Sequence, residues 1–105
     1  MAYKLMITKR AEELLDDLFY YLIFQLKSPQ GATHLFEGIE KVYIRLEENP
    51  YQFPESRDLY LKRLGYREAV LTDMKYVIVF RVEDYIVYVV GIFHQLEQYR
   101  RKIED

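Results

Sequence analysis

The chain has 105 residues, half of them hydrophobic and 30% charged, with eleven Tyr, six Phe, no Trp and a net charge of −2. This balance predicts one folded domain over residues 1–105 that buries roughly 60–70% of its unfolded surface, and it excludes a disordered segment. The lack of Cys excludes disulfides, thiolate metal sites and thiol catalysis, and suits a reducing cytoplasm.

Residues 3–7 alternate, with Tyr3, Leu5 and Ile7 on one side, which predicts a short strand. Thr8 offers an N-cap hydroxyl, and Glu12 and Glu13 suit the positive end of a helix. Ala11, Leu14, Leu15, Leu18, Leu22 and Leu26 then recur at helical intervals and predict a helix that stops near Lys27. Ser28-Pro29 starts a second helix with Leu35, Ile39, Val42 and Leu46 on one face, and Asn49-Pro50 ends it. Two helices joined by about two residues form an antiparallel helical hairpin.

Residues 51–64 mix Pro54, charges and aromatics, and read as a loop ending in a short extended piece. Strands follow at 66–71, 76–82 and 85–93, the last two joined by a tight Glu83-Asp84 turn. The near-continuous apolarity of the last two strands implies cover on both faces. Residues 96–103 read as a short polar helix. The order is that of an α+β fold: an N-terminal strand, a helical hairpin on a mostly antiparallel four-stranded sheet, and a short C-terminal helix. The longest apolar runs, 18–24 and 86–93, fall short of the ~18 residues of a membrane helix, and the N-terminus does not read as a secretory signal.

Charge is unevenly divided. Residues 1–56 carry six Lys/Arg against nine Asp/Glu, and residues 57–105 carry nine against eight. An electropositive face is therefore local: Arg57, Lys62, Arg63 and Arg67 form one cluster, and Arg100, Arg101 and Lys102 form another. A broad basic footprint for nucleic acid is missing. Phosphate-loop, dinucleotide and H-E-x-x-H motifs are absent, only His34 and His94 are present, and neither Ser28 nor Ser56 sits in a nucleophile elbow. What remains is the basic and aromatic set Lys62, Arg63, Arg67, Arg81, His94, Tyr99, Arg100 and Arg101. Metal-free RNA cleavage needs a base, an acid and a cationic phosphate clamp, which such side chains supply. Each also has an ordinary reading: Arg81 as an outward strand residue paired with Glu83, His94 as a strand-end residue, and Arg100 and Arg101 as cations at a helix C-terminus.

Several pieces in order carry a resemblance: Tyr3-x-Leu5-x-Ile7-Thr8-x-x-Ala11, Leu46-x-x-Asn49-Pro50, Gly65-Tyr66-Arg67-Glu68, Tyr76-Val77-Ile78-Val79-Phe80-Arg81-Val82 and Val89-Val90-Gly91-Ile92-Phe93-His94. Together they resemble the RelE/ParE superfamily of toxins from bacterial type II toxin–antitoxin systems. The resemblance implies a growth-inhibiting cytoplasmic protein neutralised by a cognate antitoxin, with no cofactor and no metal. It leaves open a homodimer and a hetero-oligomer with the antitoxin.

Two mechanisms divide the superfamily: ribosome-dependent cleavage of messenger RNA, and poisoning of DNA gyrase. Val77 and the pair Leu96 and Glu97 stand where the nucleases tend to carry Arg, and Gln95 replaces a Tyr after the matching His94. These departures favour the ParE-like or a divergent branch. The leading reading is a gyrase poison whose surface includes Arg67, Arg81, His94, Tyr99, Arg100 and Arg101. The alternative is a nuclease in which Lys62, Arg63 and Arg67 hold phosphates and His94 moves the proton. A third reading is a decayed toxin that retains only antitoxin binding.

Overall fold

A computed structural model describes residues 2–103. Four strands, β1 (Lys4–Ile7), β2 (Tyr66–Val70), β3 (Tyr76–Glu83) and β4 (Ile86–His94), form one sheet in the order β1-β4-β3-β2. β1 runs parallel to β4, and the other pairings are antiparallel. Helices α1 (Lys9–Tyr20) and α2 (Pro29–Glu48) form the expected hairpin on one face. Thr8 caps α1 by accepting from the Ala11 N–H at 3.1 Å, and Ser28 caps α2 by accepting from the Gly31 N–H at 3.1 Å. Ala32, Leu35, Ile39, Val42 and Leu46 of α2 are buried together with Ile78, Phe80, Val87, Val89 and Ile92 of the sheet. Among the described residues, no helix is long and apolar enough to cross a membrane.

The end of the first helix departs from its expected course. Residues Tyr21–Gln25 form a π-helical turn, closed by the Leu26 N–H on the Tyr21 carbonyl at 3.0 Å. A wider turn shifts the phase of the apolar stripe, so Leu22 stays buried whereas Leu26 is 54% exposed. Tyr20, Tyr21, Ile23 and Phe24 are likewise exposed. The chain then reverses through Lys27 in the left-handed region (φ 51°).

Three other expectations are corrected. The 51–64 segment ends in a helical turn, α3 (Leu59–Arg63), and its extended residue comes earlier, where Glu55 bridges to Arg67. Asp58 sets this helix by accepting from the Tyr60 and Leu61 N–H groups. The β3–β4 turn is Asp84-Tyr85, one residue later than expected, because Asp84 tolerates a φ of 56° and Glu83 pairs with Ile86. The last helix, α4 (Arg100–Ile103), starts late because Tyr99 is drawn into the sheet's second face.

That second face carries its own core of Leu61, Val77, Val79, Val90, Phe93 and Tyr99. A bulge makes it accessible to β4. Val79 stands opposite Gly91 but Phe80 opposite Val89, leaving Val90 without a partner and reversing the alternation beyond it. Gly91 fits here because a Cβ would lie 2.5 Å from Cζ of the Phe93 ring and 3.1 Å from Cδ1 of Leu14. The Gly91→Ala variant is expected to lose about 1–3 kcal/mol of unfolding free energy by overpacking, measured by urea denaturation.

Candidate functional site

Beyond β4 the chain folds back through a tight turn. Glu97 Oε1 accepts from the His94 N–H at 2.8 Å, and His94 Nδ1 accepts from the Leu96 N–H at 3.2 Å. Lys102 Nζ reaches the other Glu97 oxygen, and Arg10 Nε donates to the Lys102 carbonyl at 3.1 Å. Burial pulls the Glu97 carboxyl upward, but the bonds from Lys102 and the His94 backbone, with the charges of both residues, hold it below its ordinary value.

The following residue pins the segment. The Tyr99 ring is buried and stacks on Phe93 at 5.1 Å between centroids. Its hydroxyl donates to Glu68 on β2, while the Ser56 hydroxyl, 2.8 Å away, donates to Tyr99. Ser56 in turn accepts from the Asp58 N–H at 3.1 Å. Burial first, and then the bond to Glu68, push the Tyr99 phenol up to about 12. One tyrosine thus ties the C-terminal segment to β2 and to the start of α3.

The structure brings together some of the residues singled out in the sequence and separates others. Arg57, Asp58, Arg100 and Arg101 line one cleft with residues 95–99. Arg100 binds Asp58 at 3.1 Å and lies 5.0 Å from the Tyr60 ring centroid, while Arg57 donates to the Glu97 carbonyl at 2.8 Å and covers the Tyr99 ring. In the four-residue helix α4, Arg100, Arg101 and Lys102 all lie in the last turn, which agrees with their ordinary reading as cations near a helix C-terminus. Lys62 faces Glu55 at 3.9 Å. Arg81 pairs with Glu83 at 2.6 Å, as in its ordinary reading, and lies 4.4 Å from the centroid of Tyr88.

Arg67 lies elsewhere. It donates to the Phe53 carbonyl at 2.6 Å and stacks over Tyr51 on the face that carries α2. His94 stands opposite Tyr76, and Arg67 opposite Phe80. Four residues of strand and two strand spacings therefore separate their backbones, about 16 Å in all. The Tyr76 ring meets the His94 ring edge-on at 6.0 Å, and burial, with Tyr21 and Glu97 nearby, pushes the Tyr76 phenol above its ordinary value. Tyr66 and Tyr88 flank Arg81 across the sheet and Met6 stands beyond Tyr88; the sequence singles out Tyr66 only within the run leading into β2, and Tyr88 and Met6 escape it because their pairing needs the strand register. Among the described residues no group of three or more His, Cys, Asp or Glu is placed to hold a metal.

The fold is similar to that of a solved structure entitled "Chromosomal ParDE TA system from P. aeruginosa". The two share 20% sequence identity with a TM-score of 0.67, covering 89% of this chain and 96% of that one. A search of the curated proteins found no match. Residues 5–99 match the family described as ParE toxin of type II toxin-antitoxin system, parDE, and the chain belongs to that family.

Two measurements follow from the tail. Replacing Tyr99 by Phe leaves Glu68 and Ser56 without their shared partner, and is expected to cost about 1–3 kcal/mol in denaturant unfolding. The Glu97 carboxyl lies below its ordinary 4.5 when folded, so its contribution is complete above that pH and is lost as pH falls through the lower native value. Acid titration of stability should therefore decline less steeply below that pH in a Glu97→Gln variant than in the parent chain.

Proposed function

We propose that this ParE-family toxin arrests growth by binding and poisoning DNA gyrase, and that a cognate antitoxin neutralises it. The family match over residues 5–99 carries the reading. The dispersal of the nuclease candidates supports it. Acid–base cleavage needs a proton-transfer group and a cationic clamp converging on one phosphate. His94 instead accepts a backbone bond at Nδ1, Arg67 is committed to Phe53 and Tyr51 at the far corner, and the Tyr99 hydroxyl is enclosed between Ser56 and Glu68.

The hairpin tip supports the antitoxin partner. Tyr20 and Phe24 are 58% and 62% exposed, with rings 4.9 Å apart, and Tyr21, Ile23 and Leu26 are exposed beside them. An apolar patch of this kind on a small protein calls for a covering partner. Exposed Glu13, Asp16 and Asp17 of α1 and Glu37 and Glu40 of α2 make the same half acidic. The segment that covers it should be amphipathic, with basic residues along its rim.

Inducing the chain alone in bacteria, with pulse-labelling of DNA and protein, tests the mechanism. Early loss of DNA synthesis, retained within about threefold in a His94→Gln variant, is the expected outcome, since a binding poison needs no proton transfer. Early loss of protein synthesis that His94→Gln abolishes would establish the nuclease reading instead.

A further inference from the structure

The strand registers line up one row of side chains across all four strands. Met6 stands beside Tyr88, Tyr88 opposite Arg81, and Arg81 opposite Tyr66. Directly paired residues share a face, and this is the face away from α2. Leu61 and Tyr99 cover Val77, Val79, Val90 and Phe93 at one end of that face. The row lies beyond them: Met6 is 43% exposed, and Tyr66, Arg81 and Tyr88 are half-buried at the margin of the core. Three strand spacings make the row about 14 Å wide.

Its composition is that of a protein-binding surface. Tyr, Arg and Met are residue types enriched at interfaces, and Tyr and Arg are among their strongest contributors. The Arg81 guanidinium already rests on the Tyr88 ring, so little side-chain freedom is lost when a partner arrives. Lys4 lies on the same face two residues before Met6, and Arg63 closes α3 three residues before Tyr66. Neither has an ion-pair partner among the described residues, so Lys4, Arg63 and Arg81 line the row and its ends against Glu83, which pairs with Arg81, and Asp84 at the adjoining turn.

We infer that this row is the face by which the toxin grips its protein target, and that the occupant is an acidic helix of that target lying across the strands. The inference rests on the reading that the chain acts by binding. A helix places its carboxylates at chosen positions, over Arg81, Lys4 and Arg63, and keeps neutral groups beside Glu83. A polyphosphate cannot choose, and Glu83 (62% exposed) with Asp84 at the adjoining turn repels it.

Arg81→Glu and Met6→Glu test the row, each induced in bacteria with growth, DNA and protein synthesis followed, and with affinity for the cognate antitoxin measured on the purified chain. Expected is at least a tenfold loss of growth inhibition in both variants, with antitoxin affinity within threefold as proof of folding. Met6 is exposed on a short edge strand, so Met6→Glu serves if Arg81→Glu fails to fold. Undiminished toxicity overturns the inference and leaves the gyrase reading intact. Antitoxin affinity that falls in step with toxicity in both variants overturns it too, because the face then serves the antitoxin. Wild-type arrest by message cleavage that the variants abolish assigns the row to RNA and overturns both. If the parent chain stops a process other than DNA synthesis without cleaving messages, and both variants lose that effect, the gyrase reading fails and the row stands.

Discussion

Strand β4 has to serve two cores at once, and the rest of the fold is arranged around that requirement. It is bonded on one edge to β1 and on the other to β3, so neither edge is free along residues 86–89. A strand with strict alternation would send every second side chain to the same face. The extra residue at Val90 breaks that pattern, so Val87, Val89 and Ile92 meet the helices while Val90 and Phe93 meet the opposite core. Gly91 is the local cost of that switch, since the approach of Phe93 and Leu14 leaves no space for a side chain. Leu14 packs against both cores, so α1 links the two layers.

The heavy use of aromatic residues has a related cause. Arg45, Arg57, Arg67, Arg81 and Arg100 each lie over a Phe or Tyr ring within about 5 Å. Five such contacts among the described residues make this pairing a recurrent device of the fold. Each ring supports the apolar stem of an arginine and keeps its charged head in a fixed place at the surface. A small chain of nearly neutral net charge thus presents ordered cations without a basic composition.

Much of the architecture was legible because local chemistry and tertiary packing agree. Ser28-Pro29 and Asn49-Pro50 bracket α2 almost to the residue, and the β-branched run of β3 leaves no competing assignment. Where they disagree, the reading slipped. Leu26 carries the right spacing for the first helix, but periodicity assumes a constant 3.6 residues per turn, and the π-helical turn removes that assumption. α3 is too short for periodicity to register, and only Asp58 before Leu59 announces it. The candidate site was legible as a set of residue types but not as a place. Arg67 and Arg81 are both strand arginines, yet opposite alternation sends them to different faces, and the Tyr99 hydroxyl is taken up between Ser56 and Glu68, which no local pattern announces.

The pairing of β1 with β4 joins residues 4–7 to residues 86–89, so β1 waits for its partner across the helical hairpin and two further strands. During synthesis, β1 has no strand to lie against until residues 86–89 have left the ribosome, and the second core waits longer still, for Tyr99. Closing this long loop costs chain entropy before the β1–β4 pairing offsets it, as in other sheets built from distant segments. A nascent or prematurely ended chain is therefore an unclosed sheet with helices attached. The completed surface, with its ordered arginines, exists only once the chain has been made through Arg100.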